Sequence, residues 1–107
     1  MKTLIIITLL SLGCIRAMLG ADVQENWDKK CASCHGKVGK ADTKAGKKAE
    51  AKDLTDAKNQ AAFTDEKAIG EIKNGIKDGG KVKMKAAENL SDDEIKALVA
   101  HVRTLKK

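Results

Sequence analysis

The scarcity of large apolar side chains constrains this chain more than any other feature. From Ala21 onward, alanine and cysteine aside, only sixteen are present: Val23, Trp27, Val38, Leu54, Phe63, Ile69, Ile72, Ile76, Val82, Met84, Leu90, Ile95, Leu98, Val99, Val102 and Leu105. A domain of this size is marginal on such a core and commonly needs a staple, a metal or a cofactor to close around.

Before Ala21 the pattern is different. Met1-Lys2 is a short positive start, Leu4 to Leu12 is apolar apart from Thr8 and Ser11, and Gly13 to Gly20 is small and mixed. This order predicts a secretory signal peptide over residues 1–20, cleaved near Gly20 or Ala21, followed by one domain over 21–107. A transmembrane anchor needs about 20 apolar residues, and Arg16 interrupts this stretch too early. Leu12-Gly13-Cys14 partly matches a lipobox, and membrane tethering would follow only if Cys14 were acylated. The expected location is periplasmic; the alternative is a membrane-anchored lipoprotein facing the periplasm.

Of the formal charge of +6, Lys2 and Arg16 contribute two units and lie in the leader, so the remainder carries +4. A basic surface suits nucleic acid, acidic membranes or acidic proteins. Trp27 and Phe63 are the only aromatic residues. The stacking platforms that nucleic acid binding uses are therefore missing, and nucleic acid is not an expected partner.

The segment from Ala21 to Lys30 reads as a helix, with Asp22 and Glu25 as a capping box and Val23, Trp27 and Cys31 on one face. Residues 36–52 are rich in Lys, Ala and Gly without apolar periodicity and read as a solvated loop. Thr64-Asp65-Glu66 starts a second helix, with Ile69, Ile72 and Ile76 on one face and Gly75 and Gly79-Gly80 as stops. Lys81 to Asn89 reads as a second loop, containing Met84. Ser91-Asp92-Asp93-Glu94 is a capping box, and Ile95, Leu98, Val99, Val102 and Leu105 form a stripe of helical period behind it. No alternating pattern stands out, so the domain is expected to be all-α, with about three main helices.

Cys31-Ala32-Ser33-Cys34-His35 has the C-x-x-C-H form of a haem-attachment motif. On one turn of helix, two thiols three residues apart can each add to a haem vinyl group, which places the following histidine beneath the iron. Three other readings of the pair stay open: a thioredoxin-like redox site, half of a zinc site, and a structural disulfide.

Taken in order, these pieces resemble a class I cytochrome c of the small bacterial type. The resemblance runs from the helix ending in Cys31-Ala32-Ser33-Cys34-His35-Gly36, through Asp53-Leu54-Thr55, Thr64-Asp65-Glu66 and Gly75-Ile76, to Leu90 through Arg103. It implies helices around one covalently bound haem c, attached at Cys31 and Cys34, with His35 as an iron ligand. It also implies Met84, in the loop before the last helix, as the second iron ligand. The implied function is that of a monohaem one-electron carrier between redox partners outside the cytoplasm, not an enzyme. The alternative is a haem-based ligand sensor or cytochrome subunit with Met84 unbound. Lys81, Lys83 and Lys85 around Met84, with Lys37 and Lys40 after the motif, could steer acidic redox partners or simply solvate the loops.

The chain departs from the family in three ways. Lys85 stands where a proline usually follows the methionine, so Met84 is expected to be held loosely and to give way to a lysine amine as pH rises. No proline offers a carbonyl to the His35 imidazole. His101 stands where an aromatic residue is usual, and packing between the terminal helices is the reading preferred over iron ligation.

Overall fold

The computed structural model describes residues 23–107; the leader, its cleavage point, Cys14 and the Asp22 cap lie outside them. The first helix, α1, covers residues 23–30. Its period turns Trp27, 1% exposed, and Cys31, 8% exposed, to the inside. Backbone bonds from the Cys31 N–H to the Trp27 carbonyl and from the His35 N–H to the Cys31 carbonyl, both 2.9 Å, carry the turn onward. It continues as the one-turn helix α2, Ala32–His35.

The lysine-rich stretch expected as loop contains a helical turn, α3, Lys44–Lys48, started by Thr43, whose side chain accepts from the Gly46 N–H. A further short helix, α4, Ala57–Ala61, is capped by Asp56. Neither carries an apolar stripe, which is why periodicity misses both; a capping side chain and neighbouring segments hold them. The buried Gln60 amide donates to the carbonyls of Leu54 (2.6 Å) and Val102 (2.8 Å), tying α4 to the end of the chain.

Helix α5, Asp65–Asn74, begins as expected, with the Thr64 side chain accepting from the Lys67 N–H, and stops at Gly75. Gly79 and Gly80 serve another purpose. They form the turn between β1, Ile76–Asp78, and β2, Lys81–Met84, which pair antiparallel. Their φ angles of 56° and 81° are both positive, as the two-residue turn with the right twist for a hairpin requires. The second loop therefore begins as a strand. Its alternation of lysine with Ile76, Val82 and Met84 is too short to stand out in the sequence.

The last helix, α6, Asp92–Thr104, has the full capping box: Ser91 accepts from the Glu94 N–H and Glu94 accepts from the Ser91 N–H. The expected stripe faces inward, with Ile95, Leu98, Val99 and Val102 buried. These four, with Trp27, Cys31 and Ile72, make the core, so α1, α5 and α6 are the three main helices. The body is all-α as expected, with the hairpin added.

Candidate cofactor site

The site begins with the motif helix. Cys31 is buried against the core and Cys34 is half-buried, and the two remain separate thiols. Burial pushes the Cys31 thiol up to about 11. A thioredoxin-like redox cysteine needs its thiol pulled down, toward the thiolate, so the environment opposes that reading. Among the described residues no three His, Cys, Asp or Glu side chains gather as a metal site, which leaves the zinc reading without ligands there.

His35 follows on the same turn. Burial holds its imidazole below the usual histidine range, hence neutral, the form that binds a metal. Its Nδ1 is buried and has no hydrogen-bond partner. The neighbouring carbonyls of Gly36 and Lys37 accept instead from the Trp27 indole, at 3.2 and 3.1 Å. Trp27 also lies 5.1 Å, ring centre to ring centre, from His101. This places His101 between α1 and α6, where its Nε2 is buried without a partner.

Two contacts that the sequence does not announce place the motif. The Thr43 hydroxyl donates to the Cys34 carbonyl (2.9 Å). Gly46 of α3 packs so closely on that same carbonyl that a Cβ there would collide with it. The short helix α3 is thus seated on the back of the motif.

Cys31, Cys34, His35 and Met84 all line one cavity of about 910 Å³. Its walls include Leu54, Phe63, Ile72, Leu98, Val99 and Val102. The size lies within the range of cofactor and ligand sites, roughly 300–1,000 Å³. Two thiols, a neutral imidazole and a thioether on an apolar cavity are a donor set that fits a covalently attached haem. His101 does not line it. Lys30, Lys52, Lys77, Lys83 and Lys85 do, with Glu50, Glu71 and Asp78 among them, and the Lys83 ammonium sits 3.7 Å from the Glu50 carboxylate. Lys37, Lys40 and Lys81 are exposed but lie off the cavity.

Comparison with known proteins agrees with this geometry. The cytochrome c family model matches residues 20–106. Among solved structures the chain is similar to the KustC0563 c-type cytochrome, at 35% identity over 80% of this chain and 99% of that one, with a TM-score of 0.69. It is also similar to a tyrosine-to-phenylalanine mutant named for Kustc0563, at 34% identity over 79% of this chain and 99% of that one, with a TM-score of 0.65. No curated protein matches the chain. The chain therefore belongs to the cytochrome c family, as a small haem electron carrier with a single covalently bound haem c.

Proposed function

We propose that this protein shuttles single electrons between redox proteins outside the cytoplasm, with its haem bonded to Cys31 and Cys34 and the iron held by His35 and Met84. The observation that carries this reading is the convergence of those four side chains, drawn from two distant segments, on one apolar cavity. When bound, the haem supplies the redox chemistry, a one-electron change between ferric and ferrous iron. The chain does the rest. Cys31 and Cys34 anchor the group, so a thin core need not retain it by packing alone. Burial keeps His35 neutral and available as a ligand. The Met84 thioether is a soft donor, and His/Met ligation raises the reduction potential. With His35 and Met84 both holding the iron, no coordination site would be left for a substrate, which favours a carrier over an enzyme or a gas sensor.

The lysines at the cavity rim suit transient docking of acidic partners, since charge complementarity acts mainly on encounter rate. Export rests on the apolar run Leu4 to Leu12 behind Lys2. N-terminal analysis decides between a chain starting near Ala21 and an acylated Cys14.

The test is the holoprotein made with a haem-maturation system. Intact mass should equal the chain plus one haem, and the ferric spectrum should be low-spin with a methionine-to-iron charge-transfer band. High-spin iron without that band would support the sensor instead; a haem-free mass would defeat the attachment at Cys31 and Cys34.

A further inference from the structure

The chain contains no proline, so nothing of that kind stiffens the segment around Met84. The structure shows what stands in its place. Gly75, the residue that stops α5, has φ 78° and ψ −180°, a conformation open essentially only to glycine. Its bare Cα lies directly against the backbone of the methionine segment. A Cβ built there would come within 2.6 Å of the Met84 carbonyl oxygen and 2.8 Å of the Ala86 nitrogen.

Two further constraints bracket the contact. On one side, β1 pairs with β2 so that Ile76 faces Met84 and Lys77 faces Val82, with an irregularity between them. Lys83 is the extra residue of this bulge. A bulge bends its strand and re-aims the neighbouring side chains. On the other side, the Ala87 N–H donates to the Ile72 carbonyl of α5 at 2.8 Å. The chain from Met84 to Ala87 is thus fixed by backbone at both ends and seated on Gly75 in the middle.

We propose that Gly75 is a positioning residue for the Met84 ligand, and that the hairpin, the Gly75 seat and the Ala87–Ile72 bond together form a backbone clamp that holds the thioether on the iron. The proposal rests on Met84 being that ligand. The clamp does by tertiary contact what a proline would do by restricting φ locally. Where the sequence offers only Lys85 in place of a proline, the clamp supplies a restraint by tertiary contact, and one that a single methyl group can break.

The experiment uses ferric holoprotein and reads the methionine charge-transfer band, the NMR resonance of the ligated methionine methyl, and the pH at which both are lost. Wild type should show both signals and Met84→Ala neither. Gly75→Ala should push the 84–86 segment away from α5 and lower that midpoint by about one to two pH units, as a displaced thioether yields more readily to a lysine amine. Gly70→Ala places the same methyl where nothing lies within 4 Å and at an ordinary helical φ, and should leave the signals unchanged. If Gly75→Ala fails to fold, Ala87→Pro removes the bond to Ile72 and should shift the midpoint the same way. Signals absent from wild type would overturn Met84 ligation itself. Signals present in wild type, with an unmoved midpoint in Gly75→Ala, or in Ala87→Pro where only that variant folds, would overturn the clamp while leaving the ligand in place.

Discussion

Two glycines pose the same substitution in opposite surroundings. Gly70 lies inside α5 with nothing within 4 Å of an added Cβ. Gly70→Ala should therefore stabilise the protein by about 0.5–1 kcal/mol, since glycine in a helix interior costs that much relative to alanine. Gly46 is pressed against the Cys34 carbonyl with no room for a methyl group. Gly46→Ala should destabilise by about 1–3 kcal/mol, the usual cost of overpacking, and should disturb the motif helix that α3 supports. Thermal unfolding of the two holoproteins checks both signs; equal effects would mean that α3 is not seated on the motif. The sequence does not show this difference, because it depends on what packs against each glycine Cα.

At the level of single elements, α6 is the best specified. Its cap also reaches outside the helix, because the Asn26 amide of α1 donates to the Glu94 carboxylate at 3.0 Å. The Ser91 N–H, then the Asn26 amide, then the Ser91 hydroxyl hold the Glu94 carboxyl below the usual carboxylate range. Such a depressed group stabilises the fold fully above its unfolded value of about 4.3, and the contribution is lost as pH falls through the lower folded value. Asp53, held low mainly by the Thr55 hydroxyl and N–H, works in the same direction. Glu94→Gln should therefore lower stability at neutral pH and flatten its acid decline, leaving the part due to Asp53. Urea midpoints from pH 7 down to about 3 measure this, and a wild-type curve that is already flat would rule it out. Ser91→Ala, which removes the cap itself, should cost about 1 kcal/mol.

For the whole molecule, the thin core has a visible consequence. Of the sixteen large apolar side chains, the buried ones are Trp27, Ile72, Ile95, Leu98, Val99 and Val102, while Val38 and Val82 are 54% and 52% exposed. Leu54, Phe63, Ile76 and Met84 are only half-buried, and all four line the cavity. Their burial is completed by whatever fills it. Protein expressed without haem maturation should accordingly keep part of its helix content but unfold without a cooperative thermal transition, whereas the holoprotein should melt sharply. Circular dichroism with temperature distinguishes the two, and a cooperative transition in the haem-free chain would show that the polypeptide core suffices.

What the sequence by itself determined is short in range. The C-x-x-C-H turn, the Thr64 and Ser91 caps and the inward stripe of α6 each depend on residues at most one or two helical turns apart, where spacing alone decides who meets whom. What only the tertiary structure decided lies between distant segments. Arg103 reads in the sequence as a cation at a helix end. In the fold its guanidinium bonds Asp65 (2.8 Å), the Phe63 carbonyl (2.8 Å) and the Gln60 side chain (3.0 Å) and stacks over the Phe63 ring. The seat of α3 on Cys34 and the contact of Gly75 with the methionine segment are of the same kind. Neither has a periodicity or a motif, because each depends on how much space remains where two backbones cross. That distance is set by the packing of the whole chain.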